Sequence, residues 1–163
     1  MTKQDNWYVV YTYPNSEKKI YNELSRREIS AFLPTKKVTR QWSDRKKNID
    51  VPLFPNYLFV KVNSSATWQV LLVNGVVKYI TCNGAPAVVK QKEIDWIRQL
   101  QLGCNPTTND AFNRTGEKVQ VKRGPLTGMV GKVAEKKGTT RLYVELETLN
   151  QTVSVDIDAA LLE

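Results

Sequence analysis

Leu53-Phe54-Pro55-Asn56-Tyr57-Leu58-Phe59-Val60 decides how this chain is read. Pro55-Asn56 is a turn signal, and from Tyr57 onward the residues are the apolar and aromatic types that favour a strand. Successive strand residues point to opposite faces, so Tyr57 and Phe59 share one face while Leu58 and Val60 share the other. Both faces are apolar. A small domain covers one such face with its own helices. The second is either core as well or a surface kept for a partner. Both readings stand open for Phe54, Tyr57 and Phe59.

Upstream, Trp7 to Tyr13 reads as a buried strand ended by Pro14. Asn15 or Ser16 can cap a helix over residues 17–28, with Ile20 and Leu24 four apart on its inner face. Residues 29–33 return as a strand. Residues 36–42 continue as an extended arm with Val38, Arg40 and Trp42 alternating, and Ser43 to Asn48 has the polar composition of a hairpin tip. Downstream of the signature strand, Ser64 or Ser65 can cap a short helix carrying Trp68, Leu71 and Leu72. Gly75 suits its left-handed end. Residues 76–81 alternate as a strand, and Asn83-Gly84 is a turn. Residues 91–101 place Ile94, Ile97 and Leu100 on one helical face. This order predicts an α+β chain whose first part is an α/β sandwich with a mainly antiparallel sheet.

The composition changes after residue 101. Gly103 to Asp110 offers almost nothing to bury, so residues 102–114 read as a linker. Beyond it come short apolar sets of period near two: Val119/Val121, Val130 with Val133, Leu142/Val144/Leu146 and Val153/Val155/Ile157. They predict a small antiparallel β-barrel of about five strands over residues 115–163. Within it, Gly124-Pro125 turns the chain, and Gly128 and Gly131 allow positive φ or close backbone approach.

The 163 residues suffice for one ordinary domain or two small ones. The start is polar and the first apolar run too short for a signal peptide. No run reaches the ~18 apolar residues of a membrane span. A soluble, cytoplasmic monomer with no membrane partner is expected. The net charge of +8 is uneven. Residues 1–47 hold eleven Lys/Arg against five Asp/Glu, residues 48–100 five against three, and residues 101–163 eight against eight. An anionic partner is therefore expected for the first part only. The absence of histidine excludes His-based triads and general bases, and no phosphate-binding glycine loop is present. No catalytic residues, metal or cofactor are expected. Cys82 and Cys104 have no companions for a metal site, and a reducing cytosol disfavours a disulfide between them.

Phe54-Pro55-Asn56-Tyr57-Leu58-Phe59-Val60 resembles the signature strand of the N-terminal (NGN) domain of NusG-family transcription elongation factors. Gly116 to Val133 looks like a KOW motif, which that family carries in an SH3-like barrel. The two occur in the family's order and cover almost the whole chain: residues 1–101 NGN-like, 102–114 linker, 115–163 KOW. Asn56 stands where general NusG proteins usually have Gly. This brings the chain nearer the specialised RfaH-like branch, which includes capsular-operon (UpxY-like) antiterminators.

The resemblance implies a non-enzymatic factor that suppresses pausing or termination in selected operons. It implies that Phe54, Tyr57 and Phe59 dock on the clamp helices of RNA polymerase. Lys18, Lys19, Arg26 and Arg27 would track non-template or upstream DNA, and Arg45, Lys46 and Lys47 at the hairpin tip would reach DNA too. A solvated helix face is the alternative for the basic residues. The KOW domain would bind a small-subunit ribosomal protein or a termination factor. Ser64 to Trp68 lacks the consecutive threonines with which the RfaH-like branch meets a second polymerase element. A general NusG role and a ribosome-associated KOW protein are the rival readings, and the neutral charge of residues 101–163 speaks against the latter.

Overall fold

The computed structural model describes residues 4–103, 107–108, 117–123, 127–136, 139–146 and 151–156. The elements begin with β1 (Asp5–Thr12), α1 (Glu17–Arg26), β2 (Ser30–Phe32), β3 (Thr35–Gln41), β4 (Lys46–Pro52) and β5 (Tyr57–Asn63). A 3-10 turn (Ser64–Ala66) leads into α2 (Thr67–Leu71), β6 (Val76–Tyr79), β7 (Thr81–Cys82), β8 (Ala85–Pro86), β9 (Val88–Val89) and α3 (Gln91–Gly103). The strands β10 (Thr107–Thr108), β11 (Glu117–Gln120), β12 (Val130–Lys136), β13 (Thr139–Leu146) and β14 (Gln151–Asp156) follow. Two compact units form: Met1–Pro34 with Phe54–Gln91, and Thr35–Leu53 with Lys92–Glu163.

In the first unit a sheet runs β2-β5-β1-β6, with β9 also on β1, and every pairing is antiparallel. Leu58, Val60 and Val62 alternate onto the face that packs with Ile20 and Leu24 of α1 and with Val70 and Val73. That packing uses the four-residue spacing of Ile20 and Leu24. Ser16 precedes α1 but makes no side-chain cap. Asn63, rather than Ser64 or Ser65, caps the 3-10 turn by accepting from the Ser65 N–H at 3.0 Å. Gly75 has the positive φ expected of it, +102°, but α2 ends earlier, at Leu71 with Leu72 as its C-cap, so Gly75 turns the chain into β6 rather than capping the helix. Asn83 and Gly84 both have positive φ and join β7 to β8 through two residues, as a type I′ hairpin requires. The Tyr79 hydroxyl donates to the Thr67 carbonyl at 2.7 Å. Burial, reinforced by the neighbouring Tyr8, pushes the Tyr79 phenol well above its ordinary range.

The signature turn is built locally. The Tyr57 N–H donates to the Phe54 carbonyl at 3.1 Å, and Asn56 has φ +72°. A proline followed by a positive-φ residue is the type II pattern. The Asn56 N–H donates to Glu17 Oε1 at 2.9 Å. Glu17 is 5% exposed, so this charge-assisted bond ties the turn to the first residue of α1.

In the second unit β3 and β4 form a hairpin in register from Thr35↔Pro52 to Gln41↔Lys46. Lys46 and Lys47 are therefore strand residues, and the turn is tighter than the expected Ser43 to Asn48. The Trp42 N–H to Arg45 carbonyl bond (2.8 Å) closes it. Ile94, Ile97 and Leu100 of α3 are buried, as their spacing predicts. Of the expected linker, Leu102 and Gly103 belong to α3 and Thr107–Thr108 pair with β14; its other residues, with Cys104, lie outside the described residues.

Among the described residues the C-terminal sheet has five antiparallel strands in the order β10-β14-β13-β12-β11; four lie within residues 115–163, and the fifth, β10, comes from Thr107–Thr108 in the expected linker. Val121, Met129, Leu142, Val144, Leu146 and Val153 are buried. Gly128 takes φ +90°. Gly131 serves close approach instead: a Cβ there would lie 2.5 Å from the Tyr143 carbonyl oxygen and 3.0 Å from Leu142 Cδ1. Backbone cannot yield as a side chain does. Gly131→Ala is expected to destabilise the chain by about 1–3 kcal/mol, read as an earlier midpoint in guanidinium unfolding. Gly124, Pro125 and Ile157 lie outside the described residues.

Candidate functional site

The strand register decides what the signature aromatics can do. Tyr57 stands directly opposite Tyr11, the two rings edge to face with centroids 5.7 Å apart. Both are half-buried, and Tyr13 beyond the strand end is 61% exposed. Phe59 and Phe54 are each 1% exposed. The Phe59 ring meets Phe32 at 5.9 Å and Phe54 at 6.2 Å, and Phe32 meets Trp7 at 6.5 Å. Phe54 and Phe59 are thus core residues in this structure, because a ring with almost no accessible area offers none to a partner. Of the three expected contacts, Tyr57 alone presents surface. Tyr11 was not legible as its companion, since cross-strand neighbours depend on register.

The α1 cations separate in the same way. Lys19, Arg26 and Arg27 line one side of a groove of about 370 Å³, together with Asn22 and Glu23. Leu72, Val73 and Asn74 line the other. The spacing 19, 22/23, 26/27 is one helical face. Lys18 is exposed beside this face but does not line the groove. Glu23 takes both arginines, Arg26 at 3.5 Å and Arg27 at 3.1 Å. One carboxylate against three cations leaves the groove wall positive. Such exposed pairs are worth little to stability, so the arginines can exchange partners readily. α2 turns Val70 inward and leaves Trp68, Leu71 and Leu72 exposed.

Arg45, Lys46 and Lys47 are exposed on the β3–β4 hairpin. Lys46 pairs with Gln41 and Lys47 with Arg40, so the two lysines lie on opposite faces of the ribbon. Among the described residues no cluster of His, Cys, Asp and Glu could hold a metal ion. No described helix is long and apolar enough to cross a membrane.

Comparison with known proteins identifies the family. Residues 5–98 match the family model of the transcription termination factor NusG. Residues 115–159 match that of the fifth KOW domain of the transcription elongation factor SPT5. The transcription termination/antitermination protein NusG of Staphylococcus carnosus is 28% identical over 93% of this chain and 86% of its own length. The Staphylococcus aureus protein of that name is 27% identical over the same shares. A solved structure concerning domain interaction in Thermotoga maritima NusG shares the fold, with a TM-score of 0.61. It is 21% identical and aligns over 96% of this chain and 95% of that one. The chain belongs to the NusG family of transcription termination and antitermination factors.

Proposed function

We propose that this chain is a specialised NusG-family antitermination and elongation factor, acting on RNA polymerase in selected operons such as those for polysaccharide capsules. The observation that carries the docking half of this reading is the half-exposed Tyr57–Tyr11 pair at the end of the sheet, standing beside the buried Phe54 and Phe59. Rigid aromatic pairs give large contact area at low entropic cost, the property of interface hot spots. Tyr57 and Tyr11 anchor the polymerase clamp helices, while Phe54 and Phe59 hold the strand that carries Tyr57.

The groove cations Lys19, Arg26 and Arg27, with Lys18 beside them, hold upstream or non-template DNA through phosphate contacts. The hairpin's Arg45, Lys46 and Lys47 add to that field. Phosphate contacts position without reading sequence, so any operon choice comes from base contacts. Residues 1–101 act as the polymerase-binding domain. Residues 102–114 act as a tether that raises the effective concentration of the KOW domain, residues 115–163. That domain, whose KOW motif includes Gly124, Pro125, Gly128 and Gly131, recruits a small-subunit ribosomal protein or a termination factor. The factor carries no catalytic group, and it shifts the polymerase between paused and running states only by its differential affinity for them.

A general NusG role is the second reading, favoured by the Staphylococcus proteins that bear that name. The specialised reading rests on the signature stretch with Asn56 in its turn. Chromatin immunoprecipitation of the tagged protein in its own host separates the two. Signal that starts at one or a few operon leaders and persists downstream is expected. Signal that follows polymerase across most genes would make the factor a general one.

A further inference from the structure

The tip of the β3–β4 hairpin carries chemistry that a solvated turn does not need. Residues 39–48 are all exposed. Arg40 and Lys47 stand directly opposite one another in the register, and like charges so placed repel. No ion pair to Arg40, Arg45, Lys46 or Lys47 forms among the described residues. Lys47 instead sets its Nζ 4.5 Å from the centroid of the Trp42 ring. That contact places the indole on the Arg40/Lys47 face. Trp42 is nevertheless 43% exposed, at the far end of a polar ribbon. The register is held by the Thr39 hydroxyl on Asn48 Oδ1 at 2.8 Å and by the turn bond from the Trp42 N–H.

An open indole beside two repelling cations is complementary to one kind of ligand. It must supply negative charge at short intervals and a flat π surface between the charges. We infer that the hairpin tip binds an unpaired DNA strand, with one base stacked on Trp42 and the flanking phosphates held by Arg40 and Lys47. A duplex hides its base faces and would engage the cations alone, whereas an acidic peptide would leave the indole unused. The DNA assignment, as opposed to RNA, rests on the transcription reading above, in which the displaced strand of the bubble is the unpaired strand at hand. The inference adds Trp42 and Arg40 to the site and leaves Lys46, on the opposite face, outside it.

The test uses the full chain and no polymerase. A fluorescein-labelled 15-nucleotide deoxythymidine strand is titrated by anisotropy at several salt concentrations. A duplex and a uridine strand of equal length are run alongside. Trp42→Ala is expected to weaken strand binding about tenfold, and Trp42→Phe to keep most of it, since stacking tolerates any aromatic ring. Arg40→Gln with Lys47→Gln should flatten the log K against log salt slope by about 1.4, the share of two single-strand phosphate contacts. Trp42→Ala is exposed and should melt with the wild type. Trp42→Ala binding as tightly as wild type, or a duplex showing the same Trp42 dependence, would overturn the inference. Tighter, Trp42-dependent binding of the uridine strand would overturn the DNA assignment. Trp42-dependent strand binding by a chain that, in a separate assay, does not bind purified core RNA polymerase would support this inference and count against the transcription reading alone.

Discussion

Phe59→Ala is expected to destabilise the protein by about 3–5 kcal/mol, the usual cost of removing a buried phenyl ring. The ring is 1% exposed and packs between Phe32 and Phe54, so the loss combines apolar burial, two aromatic contacts and a cavity on one face of β5. Small domains hold only about 5–15 kcal/mol in all, and the variant should unfold at markedly lower guanidinium concentration. Any loss of polymerase binding in this variant should follow its unfolded fraction. If Phe59→Ala kept wild-type stability while losing the partner, the phenylalanine would be an interface residue and its buried placement wrong.

Tyr57→Ala is expected to do the opposite. Two residues earlier on the same face of the strand, this ring is half-buried and packs edge to face with Tyr11. Truncation forfeits an aromatic pair worth about 0.5–1.5 kcal/mol beyond its area, so the unfolding midpoint should move little. Binding should fall about 30-fold or more, because an anchoring aromatic at an interface centre costs about 2 kcal/mol or more to truncate. Tyr11→Phe is a useful companion, since it keeps the edge-to-face packing and removes only the hydroxyl. The contrast between positions 57 and 59 separates a residue that shapes the surface from one that is the surface.

The local pattern was enough for much of this fold. Ile20 and Leu24 face inward because a helix brings residues four apart to one side. Asn83-Gly84 turns because both residues tolerate positive φ, whereas Gly75, read as the end of α2, instead turns the chain into β6 four residues beyond the helix's last residue, Leu71. Alternation in residues 57–60 correctly divided the signature strand into two faces. It could not say which aromatic would be covered. Tyr57 and Phe59 look equivalent in sequence, but Phe59 lies under Phe32 and Phe54 while Tyr57 stands at the end of the pairing with β1. That difference is tertiary.

Glu17 was illegible for a similar reason. A glutamate at a helix start reads as a solvated, dipole-favoured charge, but its carboxylate is buried on the Asn56 N–H, 39 residues away. On the hairpin, the cluster Arg45-Lys46-Lys47 read as one basic tip because local composition cannot fix register. Pairing Lys46 with Gln41 and Lys47 with Arg40 splits the lysines between two faces and brings Trp42 into the picture. The α1 cations were legible as a flank, and the groove that sorts Lys19, Arg26 and Arg27 from Lys18 emerges only once Leu72 to Asn74 pack beside them.

The most direct test of the docking surface is the equilibrium affinity of the wild-type chain and of Tyr57→Ala for purified core RNA polymerase, each paired with its own unfolding midpoint. Saturable wild-type binding is expected, weakened about 30-fold or more by Tyr57→Ala while the midpoint stays near the wild-type value. No wild-type binding, or equal binding by the two proteins, would contradict the account.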